Sequence, residues 1–249
     1  MKRDGGTTMG RVGTGIREGN RPAMATVQRY TDRRVLVTGG GSGIGQACVV
    51  RLLGEGARVV AADISESGLA DTVGKADTPE RLSTVVMDVG SPDSVGASVG
   101  QAVETLGGLD TLVNVAGILR SAHFLDTTLA DFEQVLRVNL VGTFLVTQAA
   151  LPALRLGTAP AVVNFSSTSA TFAHPYMSAY AASKGGVLAM THALAAEFAK
   201  EGIRFNSVQP GSISSGMTDG TGESKQSVGP GLPTDADYGL FARVAPGLR

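Results

Sequence analysis

The stretch RRVLVTGGGSGIGQACVVRLLGEGARVVAAD, residues 33–63, decides the fold. RRVLVTG at 33–39 is a short apolar run that ends in glycine, the pattern of a strand buried on both faces. TGGGSGIG, Thr38 to Gly45, follows it. Residues 44–55 then carry apolar side chains at helical spacing, with Ala47, Val50 and Leu53 in register. A glycine-rich turn between a strand and a helix is the context in which such a match carries chemistry. Gly39 supplies the tight turn, Gly43 admits close approach of a pyrophosphate, and Gly45 permits helix-to-strand packing. The first amides of the helix then face the anion. The competing reading is a tight turn with no ligand. ARVVAAD at 57–63 is the next strand, and it delivers Asp63 eighteen residues after Gly45. A carboxylate there reaches the adenosine ribose hydroxyls and repels a 2′-phosphate. NAD(H) is therefore expected over NADP(H). A helix cap is the other use of Asp63, and Ser65 is equally placed for that part.

Strands and helices alternate outward from this unit. Strands are expected at 82–89, 109–117, 160–167 and 203–211, and helices at 66–76, from 91, within 128–156 and at 178–200. Ser91 and Pro92 read as the cap and first residue of the third helix. The expected fold is α/β: a three-layered, doubly wound parallel sheet of Rossmann type with six strands. Residues 1–33 are rich in Gly, Arg and Thr without any period, and are expected to be a disordered or non-native extension, with Met24 as the natural start. Residues 34–217 form the dinucleotide-binding and catalytic domain. Residues 218–249 are expected to be loop-rich with a short helix near 238–244, and Met217 to Gly222 either begin a lid over the substrate or are merely a disordered stretch.

The chain of 249 residues suits one domain. A net charge of −1 favours neither nucleic acid nor an anionic membrane as partner. No apolar run approaches the ~20 residues of a membrane span. Cys48 is the single cysteine, which excludes an intrachain disulfide and fits a cytoplasmic setting. His123, His174 and His192 are too dispersed for a metal site.

YAASK, Tyr180 to Lys184, places a phenol and an ammonium on one helix face. A nearby ammonium lowers a phenol pKa toward the range useful for acid–base catalysis. Ser167 lies thirteen residues before Tyr180, at the end of the fifth strand.

With these motifs in order, residues 34 to about 217 resemble the compact, classical type of short-chain dehydrogenase/reductase. TGGGSGIG resembles its cofactor turn, Asp88 and Val89 its adenine border, and NVAG at 114–117 its NNAG segment with Val115 replacing an Asn. RVNLVG contains its helix Asn, and PGSI at 210–213 its nicotinamide segment. The resemblance implies a cofactor set of Thr38, Gly39, Ser42, Gly43, Ile44, Asp63, Asp88, Val89, Asn114, Ala116, Gly117, Tyr180, Lys184, Pro210, Gly211, Ile213 and Ser215. Ser215 stands where the family usually has Thr. It implies that Tyr180 exchanges the proton with the substrate oxygen, Lys184 binds the nicotinamide ribose and lowers the Tyr180 pKa, and Ser167 polarises the carbonyl. Asn139 holds a water that links Lys184 to solvent. The implied reaction interconverts a secondary alcohol and a ketone by hydride transfer. Phe172, Tyr176 and Met177, with His174, would wall the substrate pocket; ordinary loop packing explains them equally well. A homodimer through the helices at 128–156 and 178–200 is also implied. The family pattern continues with another helix and a seventh strand, so a truncated or frameshifted end is expected after VAPGLR. The alternative function is a catalytically impaired dinucleotide-binding protein.

Overall fold

The protein is seen in a computed structural model that describes residues 28–211, 213, 232–237 and 239–242. Six strands make one parallel sheet: β1 (Arg34–Thr38), β2 (Arg58–Asp63), β3 (Leu82–Val86), β4 (Thr111–Asn114), β5 (Ala161–Phe165) and β6 (Arg204–Val208). Their order is β3-β2-β1-β4-β5-β6. The chain winds outward through β2 and β3, then returns to pair β4 with β1. That reversal opens a crevice at the carboxyl ends of β1 and β4, where open α/β sheets bind ligands. The helices are α1 (Gly43–Gly54), α2 (Glu66–Gly74), α3 (Pro92–Leu106), α4 (Leu129–Leu136), α5 (Gly142–Arg155), α6 (Ser178–Glu197) and α7 (Gly239–Ala242).

The two faces of β1 explain the layers. Leu36 points into a core with Val60, Leu112 and Val162, covered by α3, α5 and α6 through Val99, Val146 and Leu194. Val35 and Val37 point the other way, to Val49, Leu53 and Leu69 of α1 and α2. Burial on both sides requires apolar residues at successive positions, which is why these strands read as continuous apolar runs. The helix starts follow local chemistry. Ser91 caps α3 by accepting from the Ser94 amide, Pro92 occupies the first position, and Gly107 ends the helix at φ +71°. Ser65, rather than Asp63, caps α2 by accepting from the Gly68 amide.

Two expectations change. The extension was expected to run to residue 33, but residues 28–33 are bound to the body. The Tyr30 amide donates to the Glu55 carbonyl at 3.0 Å, Arg29 pairs with the buried Glu55 carboxylate, and Arg33 donates to the Thr158 and Ala159 carbonyls. Residues 1–27 lie outside the described residues. The one or two helices expected at 128–156 are α4 and α5, joined by one wide turn of π-helix at Arg137–Val141. Leu129–Arg155 also reaches the length and hydropathy of a membrane span, although the sequence was expected to hold no such run. Its apolar content reflects packing: Val135, Val146, Ala150 and Leu154 are buried in the domain.

Asp110, at the amino end of β4, ties the bottom of the sheet together. Its carboxylate accepts from the Arg34 amide, the Arg34 guanidinium and the Thr158 amide at 2.7–3.0 Å. Burial pushes its pKa up, and these donors more than offset that, leaving it at about 2. A depressed pKa means stability that is present above 3.8 and lost as pH falls toward about 2. Asp110→Ala is expected to lower unfolding stability by about 3 kcal/mol at neutral pH. In urea titrations that deficit should shrink across the same acid window; a pH-independent deficit would contradict the assignment.

Candidate active site and dinucleotide cleft

The glycine turn is built by contact. Gly39 adopts φ +69° against the Ala116 backbone, where a Cβ would stand 2.8 Å from the Ala116 nitrogen. A Cβ on Gly45 would overlap the Gly39 carbonyl oxygen. Thr38 Oγ1 accepts from the amides of Val115 and Ala116 at 3.2 and 3.3 Å, joining β1 to the loop after β4. The Val115 substitution therefore leaves its backbone contact intact. Ser42 is extended at the head of α1 and its side chain caps no amide, so the first amides of α1 are left for a ligand. The residues present thus fit a pyrophosphate.

Asp63 projects from the end of β2. Its Oδ2 accepts from the Gly41 amide and its Oδ1 from the Ser65 amide, both at 3.0 Å. A carboxylate pinned by two amides keeps a fixed direction and retains lone pairs for further donors. Of the pair expected to border the adenine, Asp88 accepts from the Gly90 amide at 2.8 Å and is exposed, while Val89 is buried against Gly142. Asn114 behaves differently from the rest of the expected set. Its Nδ2 donates to Thr147 and Asn164 inside the domain, and its Oδ1 is buried without a partner. The Pro210 carbonyl accepts from the Thr168 amide at 3.1 Å, which ties Pro210 to the turn that Ser167 heads. Gly211 and Ile213 are exposed, and Ser215 and the expected lid opening at Met217 lie outside the described residues.

The chemical end assembles from three elements. Ser167 is extended at the end of β5 and heads the short turn Thr168–Ala170. Tyr180 and Lys184 stand on the first turns of α6. A hydrogen bond with Ser167 draws the Tyr180 pKa down, but burial outweighs it and raises the pKa above 10.0. Lys184 is 5% exposed, and its Nζ donates to the Phe165 carbonyl at 2.7 Å. The ammonium lies 5.8 Å from the centre of the Tyr180 ring. Burial lowers the Lys184 pKa to about 8. The Lys184 Nζ is turned to a backbone carbonyl, and the Ser167 hydrogen bond is the contact that lowers the Tyr180 pKa. The Phe165 carbonyl was not legible in the sequence, since a backbone acceptor has no side-chain signature.

Asn139 lies in the wide turn between α4 and α5 with no exposed surface. Such turns open a helix locally and recur at functional sites. Its side chain bonds both the amide and the carbonyl of Ile118, at 2.8 and 2.9 Å. Gly117 is the gap between Asn139 and Lys184: a Cβ there would stand 3.1 Å from Asn139 Oδ1 and 3.5 Å from Lys184 Nζ. Around the entrance, Tyr176 takes φ +65° and its hydroxyl accepts from the Asp237 amide, while His123 pairs with Asp235 at 2.9 Å. Met177 is buried, and Phe172 and His174 lie toward the surface. Among the described residues, no group of three or more His, Cys, Asp or Glu could hold a metal ion.

A parallel sheet that reverses at its glycine turn, with Ser, Tyr and Lys gathered beside the cleft, defines a dinucleotide-dependent oxidoreductase fold. The family model described as short chain dehydrogenase matches residues 33–226, and the chain belongs to this family. It is 39% identical over 192 residues to the 3-oxoacyl-[acyl-carrier-protein] reductase FabG of Thermotoga maritima, covering 77% of this chain and 78% of the relative. It is 38% identical over 226 residues to levodione reductase of Leifsonia aquatica, covering 89% and 83%. Among solved structures, a dehydrogenase/reductase from Sinorhizobium meliloti superposes with a TM-score of 0.74 at 31% identity, covering 83% of this chain and 86% of the other. Members of the family are oxidoreductases that bind nicotinamide dinucleotides.

Because burial depresses the Lys184 pKa, the unfolded chain holds this proton more tightly than the folded one between about 8 and 10.5. The stability of the ligand-free protein relative to Lys184→Met is therefore expected to rise as pH increases from about 8 toward 10. Paired denaturant titrations across that window check it, and a relative stability that falls would contradict a buried ammonium.

Proposed function

We propose that this chain is an NAD(H)-dependent oxidoreductase that interconverts a secondary alcohol and a ketone, with Tyr180 as its acid–base group. The convergence of Tyr180 with Ser167, beside the buried Lys184, carries this reading. Bound in the cleft, the dinucleotide supplies or accepts the hydride. Tyr180 gives its phenolic proton to the carbonyl oxygen in reduction and recovers it in oxidation. Ser167 donates to the same oxygen and orients it. Lys184 below its pKa of about 8 adds positive charge beside the phenolate that forms. Asn139 keeps the Gly117–Ile118 wall in place by both of its amide bonds. Relatives named as a 3-oxoacyl-[acyl-carrier-protein] reductase and a (3R)-3-hydroxyacyl-CoA dehydrogenase support a carbonyl–carbinol pair as the reacting unit.

Asp63 supports NAD(H) over NADP(H). Its fixed negative charge suits ribose hydroxyl donors and opposes a 2′-phosphate. The same reading includes a cytoplasmic homodimer through α4, α5 and α6. Val141, which ends the wide turn, and Phe144 of α5 are both exposed and lie about one turn apart, as an apolar contact surface requires. Light scattering is expected to give a dimer mass, and a clean tetramer would count against this part.

Tyr180→Phe is expected to fold and bind NADH while losing about 10²-fold or more in kcat; wild-type turnover in that variant would remove Tyr180 from the mechanism. Fluorescence titrations should give a lower Kd for NADH than for NADPH, with Asp63→Ala narrowing the gap. Tighter NADPH binding by the unmodified protein would overturn the cofactor assignment.

A further inference from the structure

Ser183 sits between Tyr180 and Lys184 on α6 and has no exposed surface. Its hydroxyl donates to the Tyr180 carbonyl at 2.7 Å. A helix serine that bonds back along its own helix is ordinary. The second bond of Ser183 is different: the hydroxyl accepts from Asn139 Nδ2 at 3.0 Å, and Asn139 belongs to another helical segment. Asn139 is itself held by the Ile118 amide and carbonyl, and its own carbonyl accepts from the Thr143 hydroxyl at 2.7 Å. The loop after β4 and the wide turn between α4 and α5 are therefore locked to each other through Asn139, and Ser183 connects that unit to α6.

We propose that Ser183 is a positioning residue for the Tyr180–Lys184 pair, transferring the fixed location of Asn139 to the first turns of α6. The proposal rests on the reading that Tyr180 is the acid–base group. Ser167 comes from β5 and Tyr180 from α6, so their meeting depends on how α6 is seated. Lys184 depends on the same seating, because its Nζ must reach both the Phe165 carbonyl and the space beside Gly117. Catalytic geometry is steep: a misplacement of about 1 Å costs on the order of 10²-fold. Removing the Ser183 hydroxyl leaves one Asn139 N–H buried without its acceptor, which favours a shift of either segment. A looser Ser167–Tyr180 bond would then raise the Tyr180 pKa, since that bond is what lowers it.

The test compares Ser183→Ala, Ser183→Cys and Tyr180→Phe with the unmodified protein. Tyrosinate absorbance of the ligand-free proteins is titrated with pH, and the Tyr180 signal is isolated by subtracting the Tyr180→Phe curve. Turnover is measured against pH on whichever secondary alcohol supports NAD reduction by the unmodified protein, together with NADH binding and thermal unfolding. Ser183→Ala is expected to move the Tyr180 titration to higher pH and lower kcat about tenfold, with KM and NADH affinity within about twofold. Ser183→Cys, which keeps a weak acceptor and donor on a slightly larger side chain, should recover part of both effects. An unchanged Tyr180 titration and pH profile in Ser183→Ala would overturn the proposal. So would equal losses in kcat, KM and NADH binding that Ser183→Cys fails to relieve, because that is the signature of general damage. If Ser183→Ala does not fold, Ser183→Cys decides by the same titration. Normal turnover by Tyr180→Phe would refute the proposed function instead, while the titration would still report whether Ser183 seats α6.

Discussion

Everything at the cofactor end depends on how closely two stretches of backbone approach where the winding of the sheet reverses. The turn after β1 lies against the loop after β4 with no room for a side chain at Gly39. The start of α1 lies on the same turn with no room at Gly45. That packing aims the amides of α1 into the crevice and puts Thr38 where it can bond the Val115 and Ala116 amides. Asp63 is placed by the same contact, because it holds the Gly41 amide. The open helix start of α1, the direction of the Asp63 carboxylate and the path of the loop after β4 are thus linked through the packing of this turn.

The chemical end obeys a different rule. Its polar groups are buried, and burial penalises charge. Tyr180 is driven toward its neutral form and Lys184 loses much of its affinity for a proton. In the ligand-free protein these two shifts oppose an ion pair of phenolate and ammonium. Lys184 is held by a backbone carbonyl, and the Ser167 hydroxyl is the group that works against burial at Tyr180. Burial favours the protonated form of Tyr180, and its bond to Ser167 depends on how α6 is seated.

The sheet was readable in the sequence because burial on both faces keeps the middle positions of β1, β2 and β4 apolar, with polar residues only at the strand ends. The glycine turn, Asp63 and the Ser167, Tyr180 and Lys184 set were readable for a related reason: each needs a particular residue type at a fixed spacing along one element. Three features were not readable. The boundary at residue 33 was misplaced because Arg29, Tyr30 and Arg33 look like a polar tail until their partners, Glu55 and residues 158–159, are seen. The role of Asn114 was incomplete, since its amide turns to Thr147 and Asn164, distant in sequence. The wide turn at Arg137–Val141 has no periodic signature, being a local departure inside one long helical pattern.

By itself the sequence determined the layered parallel sheet, the position of the glycine turn and the residue types of the candidate site. These follow from periodicity and local backbone sterics, which act over a few residues. Only the tertiary structure decided which atoms those groups touch. Asp63 is pinned by two amides, Lys184 by the Phe165 carbonyl, and Ser183 joins Asn139 to α6. Each of these contacts except the Asp63–Ser65 bond joins segments nineteen or more residues apart. Hydrogen-bond partners at that range are chosen by which elements the core brings together, and no local pattern in the chain encodes that choice.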